Sequence, residues 1–383
     1  MAIRTNHPTS IQSTQHSPQT AEGTIIDRVA QFIERFIFLK DSRQYRLLAT
    51  WTVGTYLVKR FEYFGYLFIY SPEPQCGKSL LLDILDNLVY ASSGVLISPT
   101  PSVLFRTAHE RTQLLDEVDS LTNMDALRGI LNAGFKKGGK VLRNDSGEKQ
   151  IVTKEFPVYG PRALAGIGLS ILHGTTRDRA FAFQMFRQKT QERRERFRAQ
   201  KIKPELKALK RDIESWVHAN ASQVESTYND AAFPYLEEFR DRTIDVAQSL
   251  AAIHEVCYKG HPRLMQTRLE LIGAIATTRK EEDAPTTEYY LFQELLRLAE
   301  IEDPLKGSAS ELSVMCAGLA ETVSESQITA FLRKFGFQTK SVRKGESTRY
   351  RYVLPRATLE DLCARYAGGI QSHESRVEMI TAT

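Results

Sequence analysis

The sequence has few cysteines and no long apolar run. Its four cysteines lie far apart with no CxxC spacing, so they suggest neither a zinc site nor a disulfide framework. A run of about eighteen apolar residues, the length that spans a membrane, is absent, and the polar first twenty residues lack the apolar stretch of a secretory signal. We therefore expect reduced thiols, no membrane partner and a cytoplasmic protein.

The sequence is also poor in histidine, and its charge is nearly balanced. The eight histidines are scattered, and none lies at ligand spacing with cysteine or a carboxylate, so no metal other than Mg²⁺ is expected. The formal net charge of +5 hints only weakly at an anionic partner. With 383 residues, 42% of them hydrophobic, the chain is long enough for two or three domains.

Composition and hydrophobic spacing divide the chain into six segments. Strand-like and helix-like stretches alternate up to residue 187, which is typical of an α/β domain with a parallel sheet. The stretch 187–213 carries many cations and is predicted to be a basic helical connector interrupted near Pro204; it either lines a DNA channel or is a solvated surface. The predicted segments are a disordered tail (1–22), N-terminal helices (23–60), an ATPase core (61–187), the connector with a helical lid (188–305), a winged-helix-like domain (306–368) and a second tail (369–383).

Residues 71–79, SPEPQCGKS, which we call the GKS loop, follow a strand-like segment and precede an amphipathic helix. The pattern matches the phosphate-binding loop GxxxxGK[ST], except that Pro72 replaces the first glycine. The phosphates in such loops are held chiefly by later backbone amides and the helix N-terminus, so Pro72 removes no essential donor. The alternative is a chance GKS at a strand-to-helix turn. The nucleotide-binding residues predicted here are Pro74, Gln75, Cys76, Gly77, Lys78, Ser79 and Leu80.

Two side chains of the GKS loop have specific predicted roles. Lys78 would bridge the β- and γ-phosphates of ATP, and the Ser79 hydroxyl would bind Mg²⁺. Gln75 occupies a position where many such loops have glycine, so a positive φ there would carry some strain.

An acidic pair follows the strand-like stretch at 111–119, RTQLLDEVD. Hydrolysis of a phosphoanhydride needs one carboxylate beside the metal and another to activate water. Asp116 is therefore predicted to bind Mg²⁺ and Glu117 to activate the attacking water. The alternative is a strand that simply runs into an acidic turn.

A basic hairpin is predicted between VLRND and QIVTKEF, around a turn at SGE. In ring-forming helicases, a hairpin inserted before the fourth strand points into the central channel and touches the nucleic-acid backbone, which requires cations. A solvated surface hairpin is the alternative. The predicted DNA-binding cations are Lys136, Lys137, Lys140, Arg143 and Lys149, and Lys154 lies on the same hairpin.

Two arginines, Arg177 and Arg179, lie just before the last strand-like segment of the core. Related ATPases have an arginine at this point that reaches the γ-phosphate in the neighbouring subunit, and guanidinium suits that role because it is always charged and planar. Arg179 is favoured over Arg177, and a local ion pair with Asp178 is the alternative.

Arg242, in the stretch FRDRTID, has two open interpretations. It could contact nucleotide from the helical lid, as a second sensor arginine would. It could equally pair along its own helix with Glu238 or Asp245.

The C-terminal region reads as a helix, SESQITAFLRKFGF, capped by Ser324 or Ser326, followed by two short strands around KGES. Helices followed by such strands suggest a winged helix, which commonly binds DNA. A module for protein contacts is the alternative. The predicted phosphate contacts are Arg333, Lys334, Lys340, Arg343, Lys344, Arg349 and Arg351, with Tyr350 and Tyr352 alongside.

The segments SPEPQCGKS, LLDEVD, LRGILNAGFKKGG, GPRALAGIG and TRDRA occur in that order. Together they resemble a family of P-loop ATPases catalogued only as a domain of unknown function and common in phage, plasmid and genomic-island replication proteins. Proline in place of the first glycine is usual there. The resemblance implies an AAA+-type P-loop fold near the superfamily 3 helicases, with ATP and Mg²⁺ as cofactors.

From these features we expect an ATP-dependent, ring-forming DNA motor, a hexameric replicative-type helicase of a mobile genetic element. The alternative is an ATP-switched DNA-binding initiator or defence ATPase that oligomerises without unwinding DNA.

Overall fold

Helices and strands alternate through the residues that the computed structural model describes, which are 23–109, 111–121, 124–146, 151–279, 287–316, 323–344 and 347–366. The contacts divide the chain into two units, Met1–Thr278 and Arg279–Thr383. The two predicted tails, 1–22 and 369–383, lie outside the described residues. No helix of the described part is long and apolar enough to cross a membrane.

The first unit opens with the two helices that apolar spacing predicts, α1 (Ile25–Phe36) and α2 (Arg43–Gly54). α1 begins at a reciprocal cap, because the Thr24 hydroxyl accepts a hydrogen bond from the Asp27 amide while the Asp27 carboxylate accepts one from the Thr24 amide. The Asp27 carboxylate also pairs with the buried Arg46 guanidinium at 2.9 Å. That ion pair ties α1 to α2.

The remaining elements of the first unit alternate as an α/β domain requires. Its strands are β1 (Tyr66–Ser71), β2 (Ser92–Ile97), β3 (Thr112–Asp116), β4 (Lys140–Ser146), β5 (Ile151–Pro157), β6 (Arg162–Ile167) and β7 (Ala180–Gln184). Its later helices are α3 (Lys78–Leu88), α4 (Pro101–Thr107), α5 (Met124–Gly134), α6 (Gly174–Arg177), α7 (Lys203–Asp230), α8 (Asp241–Cys257) and α9 (Leu264–Thr277).

Five parallel strands form the central sheet in the order β2-β3-β6-β1-β7. Every residue of β1 is buried, as is expected of a strand paired on both sides and covered by helices. The predicted α/β class with a parallel sheet is confirmed. β4 and β5 pair with each other as an antiparallel hairpin between α5 and β6, where the sequence predicts one.

The basic connector differs from its prediction. Residues 188–202 contain a single 3-10 turn, Thr190–Glu192, and α7 starts at Lys203 with Pro204 in its first turn. Proline lacks an amide proton and has a fixed φ, so it suits a helix start and does not interrupt one here. Arg35 of α1 forms ion pairs with Glu195 of the connector and with Glu205, the latter at 2.8 Å. The connector therefore lies along α1.

The second unit combines four helices with a small antiparallel sheet of order β8-β10-β9. The rings of Phe292, Phe331 and Phe335 meet in its core at centroid distances of 4.8 to 5.0 Å. The elements are α10 (Thr287–Ile301), β8 (Leu305–Gly307), α11 (Ala309–Met315), α12 (Glu325–Lys334), β9 (Thr339–Lys344), β10 (Ser347–Leu354) and α13 (Arg356–Tyr366). α10, which the sequence prediction grouped with the lid, belongs to this unit.

The predicted capped helix at SESQITAFLRKF is present as α12. Ser324 is the cap, since its hydroxyl accepts a hydrogen bond from the Gln327 amide while the Gln327 side chain accepts one from the Ser324 amide. Ser326 is therefore the second residue of the helix and not its cap.

We expect Glu255 on α8 to make the free energy of unfolding of the first unit depend on pH in the acidic range. Burial raises the pKa of this carboxyl, but the His254 ring 3.8 Å away and hydrogen bonds from Arg268 and Tyr235 outweigh burial and hold the pKa at about 2, against 4.5 for an ordinary glutamate. The stabilisation is therefore fully present above pH 4.5 and is lost as the pH falls towards 2. We expect Glu255→Gln to lower the free energy of unfolding at pH 7 by on the order of 2 kcal/mol.

Urea unfolding of both proteins between pH 7 and pH 3 measures this effect. The difference should narrow below pH 4.5, whereas Glu237→Gln, at an exposed position, should behave as wild type throughout. A difference that stays constant with pH would contradict the assignment.

Candidate functional site

The five parallel strands all end at one side of the central sheet, which we call the carboxyl edge. Three backbone hydrogen bonds join the chain segments that leave it. The Gly168 amide donates to the Ser71 carbonyl at 3.0 Å, the Met185 amide to Tyr70 at 2.7 Å and the Ser98 amide to Asp116 at 3.4 Å. Ligands of open α/β sheets bind outside this edge, so the side chains collected there are the first candidates for a site.

The GKS loop leaves β1 at the carboxyl edge and turns directly into α3. Gly77 has φ 91° and Gln75 has φ 63°, and the helix begins at Lys78. The positive φ predicted for Gln75 is therefore observed. Gly77 holds a left-handed conformation that costs glycine little, whereas Gln75 has a side chain and carries the strain. A loop of this shape in front of a helix N-terminus can direct several amides at one anion.

The Lys78 ammonium group lies over its own loop. Its Nζ donates to the Ser71 hydroxyl at 2.6 Å and lies 3.5 Å from the Glu73 carbonyl, while the Ser71 hydroxyl donates to that same carbonyl at 2.5 Å. Ser71 is fully buried. The sequence prediction missed Ser71 because nothing in its spacing distinguishes it from any other last residue of a strand.

The other predicted loop residues differ in exposure. Pro74 and Gln75 are exposed, as is Ser79 in the first turn of α3, so the Ser79 hydroxyl is open to a ligand. Cys76 is only 7% exposed and its thiol lies 3.6 Å from the Pro74 carbonyl. Leu80 is half-buried and packs against the apolar core. The cysteine and the leucine therefore contribute packing and backbone to the loop.

Asp116 and Glu117 stand where β3 ends, and their environments differ. Asp116 is 7% exposed, and its Oδ1 accepts a hydrogen bond from the Glu117 amide at 2.9 Å. Glu117 is exposed and has φ 54° and ψ 43°. One carboxylate is thus fixed in position and the other faces solvent, as a metal ligand beside a general base would require.

A third carboxylate, Asp83, was not predicted. It lies on α3, four residues after Ser79, and its pKa is raised by burial and by the charges of Asp86 and Asp116. α3 packs against β3, which brings Asp83 near the end of that strand. Sequence spacing could not reveal this, because 33 residues separate the two carboxylates.

Backbone strain concentrates at the carboxyl edge. Among the described residues, four non-glycine residues have positive φ, and three of them, Gln75, Ser98 and Glu117, lie in the segments that leave this edge. Each such conformation costs about 1 to 3 kcal/mol and persists where the surrounding structure fixes it, commonly at functional sites. The strained backbone therefore points to the carboxyl edge independently of the sequence motifs that lie there.

Arg177 and Arg179 lie at the opposite side of the sheet, which we call the amino edge. The Tyr66 amide, at the start of β1, donates to the Arg179 carbonyl at 2.9 Å, and Arg177 ends the short helix α6 just before. Five residue steps of about 3.3 Å put roughly 16 Å of strand between Tyr66 and the GKS loop. Within one chain, Arg179 and Lys78 therefore belong to different edges.

Arg242 lies beside Arg179. The guanidinium carbons of Arg179 and Arg242 are 4.6 and 5.1 Å from the centroid of the Phe135 ring. Arg242 also pairs with Asp245 at 3.0 Å, so the predicted pairing along α8 is present. This location separates Arg242 from the GKS loop of its own chain.

The predicted DNA-binding cations around the hairpin have partners within the unit. Lys136 lies 3.3 Å from the Glu62 carboxylate and Lys137 donates to a backbone carbonyl at 2.9 Å. Lys140 pairs across the hairpin with Glu155 at 2.7 Å. These three ammonium groups are at the surface, where such pairs exchange readily with water and ligands. Lys149 lies outside the described residues.

Arg143 belongs to a mixed cationic and aromatic cluster that the sequence prediction missed in part. Its guanidinium carbon lies 5.3 Å from the centroid of the Phe105 ring on α4, and Phe105 packs on Phe156 of the hairpin at 4.7 Å. Arg106 of α4 lies 5.1 Å from the Phe156 centroid. The aromatic pair anchors the hairpin to α4 and brings the two arginines to one surface.

One prediction for the second unit, that Tyr352 lies beside the phosphate contacts, is wrong, and Arg351 has an acidic partner. Arg351 pairs with Glu311 of α11 at 2.5 Å, and Tyr352 is 5% exposed in the core. Alternation along β10 turns Tyr352 towards the helices, and the short bond to Glu311 holds Arg351. Arg333 and Lys340 are exposed. Arg343 and Lys344 are the last two residues of β9, opposite Thr348 and Ser347.

Among the described residues, no group of three histidine, cysteine, aspartate or glutamate side chains is placed to hold a metal ion. Mg²⁺ at nucleotide sites commonly binds only one or two protein oxygens, with water and phosphate completing its shell. An exposed hydroxyl at Ser79 and a fixed carboxylate at Asp116 fit that pattern. The Mg²⁺ site itself stays a prediction.

Comparison with known proteins finds only distant similarity. No protein-family model matches the chain, and no curated protein matches it. Similar solved structures include the A-form apo structure of the NrS-1 C-terminal region, 12% identical, which covers 86% of this chain and 74% of that chain with a TM-score of 0.40. A second apo structure of the region is 14% identical, with coverage of 86% and 75% and the same TM-score. A likeness this distant assigns neither family nor function.

Proposed function

We propose that this chain is an ATP-hydrolysing, ring-forming DNA motor, a P-loop ATPase of the AAA+ type with a winged-helix domain. One arrangement supports this above all others. The GKS loop and the Asp116–Glu117 pair leave the same edge of one parallel sheet, and three strained residues lie in the segments that leave it. Phosphoryl transfer to water needs a loop that binds phosphate, a metal ligand and a general base, and the GKS loop, Asp116 and Glu117 would supply these three parts.

Each residue at the carboxyl edge has a proposed role. Amides of the GKS loop bind the β- and γ-phosphates, and Lys78 leaves Ser71 to neutralise them. Ser79 and Asp116 hold Mg²⁺, and the exposed Glu117 orients and deprotonates water. Mg²⁺, when bound, draws charge from the phosphate oxygens.

A ring is proposed because the arginines and the loop face opposite edges of the sheet. Arg179, supported by Arg177, would reach the γ-phosphate held by the neighbouring copy. Each contact between copies is then head-to-tail, and such contacts form a ring where the rotation from copy to copy closes. We propose six copies in the ring.

DNA is the proposed substrate of the motor. The hairpin and α4 bring Arg143 and Arg106 to one surface of the first unit, where they suit a phosphate backbone, and the exposed Lys140 lies on the same hairpin. The α12 helix and the β9–β10 strands of the second unit would add winged-helix contacts. A replicative helicase of a mobile genetic element, acting in the cytoplasm, is the role that the resemblance in sequence favours.

ATP hydrolysis by the purified chain, with and without single-stranded DNA, tests the proposal, followed by unwinding of a forked duplex. We expect hydrolysis that DNA stimulates and strand separation that requires ATP and Mg²⁺. Hydrolysis and DNA binding without strand separation would instead assign an ATP-switched initiator or defence ATPase. Absence of ATP binding would overturn both functions.

A further inference from the structure

Arg179 and Arg242 come from different parts of the first unit and flank one aromatic ring. Arg179 precedes β7 and Arg242 lies in the first turn of α8, yet both guanidinium groups lie within 5.1 Å of the centroid of Phe135. Phe135 is 5% exposed, so the ring is a fixed platform. Two cations held on one platform repel each other unless an anion lies between or beside them.

The charge of Asp178 opposes the effect of Arg242 on Arg179 but does not cancel it. Asp245 pairs with Arg242, whereas the Arg179 side chain donates to the Thr175 carbonyl and its buried Nε has no hydrogen-bond partner. Burial and the nearby charge of Arg242 lower the pKa of Arg179. An oxyanion beside the half-exposed guanidinium of Arg179 would relieve the repulsion, and guanidinium pairs suit phosphate oxygens in particular.

The position of the pair decides which phosphate it can reach. Both arginines lie at the amino edge, roughly a strand length of 16 Å from the GKS loop of the same chain. The pair therefore cannot serve its own nucleotide without the sheet being rebuilt. A neighbouring copy that presents its carboxyl edge to this amino edge would bring a phosphate to both guanidinium groups at once.

We infer that Arg242 acts together with Arg179, as a two-arginine contact to the phosphate groups of a nucleotide held by a second copy of this chain. The inference rests on the proposed function and adds a residue to it. Arg242 then serves the neighbouring site and not its own, with Asp245 as the residue that positions it. Arg242→Ala should lower the rate of ATP hydrolysis by on the order of 10²-fold, as loss of one preorganised donor does.

Mixed rings of two inactive variants distinguish a contact between copies from one within a copy. In an equal mixture of Lys78→Ala and Arg242→Ala, about one interface in four combines an intact loop with an intact arginine pair, so activity should return. A mixture of Arg242→Ala and Arg179→Ala should stay inactive, because each copy lacks half of the same pair. The inference would be overturned if ATP hydrolysis did not return in the mixture of Lys78→Ala and Arg242→Ala but did return in the mixture of Arg242→Ala and Arg179→Ala.

Two further measurements separate failure of this inference from failure of the proposed function. The mixture of Lys78→Ala with Arg179→Ala tests the shared site alone, and its failure to recover would refute the head-to-tail ring itself. Arg240→Ala, at an exposed position two residues before Arg242, is the matched control and should hydrolyse ATP as wild type does. Arg242→Lys keeps the charge but not the planar fork, and should recover part of the rate. If Arg242→Lys recovers none of the rate while its thermal melting and ring assembly stay normal, the planar guanidinium, and not its charge alone, is required. If Arg242→Ala hydrolyses ATP as fast as wild type, the inference is wrong.

Discussion

Glu117→Gln should nearly abolish ATP hydrolysis while leaving ATP binding intact. The side chain keeps its size at the exposed end of β3 but loses the carboxylate that would take a proton from water. General-base catalysis contributes about 10² to 10⁴-fold, and we expect the turnover number to fall within that range. Steady-state hydrolysis and calorimetric titration with ATP and Mg²⁺ measure the two properties separately.

The matched control is Glu238→Gln, which removes an equally exposed carboxylate far from the carboxyl edge and should not change turnover. DNA unwinding, where wild type shows it, should disappear in Glu117→Gln together with hydrolysis. Wild-type turnover in this variant would show that Glu117 is not the base, and the strained φ of 54° would need another explanation.

Lys78→Ala should strongly weaken ATP binding itself. The ammonium group is already held over the GKS loop by the Ser71 hydroxyl, so the loop has one charged donor placed for a triphosphate. Charge-assisted contacts of this kind contribute about 1.5 to 3 kcal/mol, which corresponds to a loss of affinity of roughly 10 to 150-fold. Calorimetric titration with ATP and Mg²⁺ should show saturable heat for wild type and almost none for the variant.

Lys207→Ala is the corresponding control, because Lys207 is an exposed lysine on α7. Its affinity for ATP should equal that of wild type. If Lys78→Ala binds ATP as tightly as wild type, the GKS loop is not a phosphate site, and the proposed motor loses its energy source.

Local patterns predicted the parts of the site that are contiguous in sequence. The GKS loop, the acidic pair after β3 and the hairpin all depend on neighbours a few residues away, and the strain at Gln75 followed from its place in the loop. Ser71, Asp83 and Arg106 escaped prediction because their importance comes from contacts between elements. The hydroxyl of Ser71 matters only because Lys78 folds back onto it, and Asp83 only because α3 packs near Asp116.

The errors have a physical cause in common. Pro204 was taken to interrupt a helix, although a proline in the first turn starts one, and the basic stretch before it lies along α1 in an extended path. Arg351 and Tyr352 were assigned to a DNA surface from composition alone, whereas Tyr352 is buried in the core of the second unit and Arg351 is paired with Glu311. In each case tertiary contacts decided between conformations that the local sequence allows.

The strand β1 links two parts of the proposed mechanism, because a candidate functional group lies at each of its ends. Its carboxyl end continues into the GKS loop, which would bind the ATP of the same subunit. At its amino end, the Tyr66 amide donates a hydrogen bond to the Arg179 carbonyl. β1 is paired on both sides, with β6 and with β7, and so joins the two ends of the sheet through its centre. In the proposed ring, β1 of each copy would therefore connect the nucleotide that the copy binds to the arginine that it presents to its neighbour, and hydrolysis at one site would be coupled to the next site.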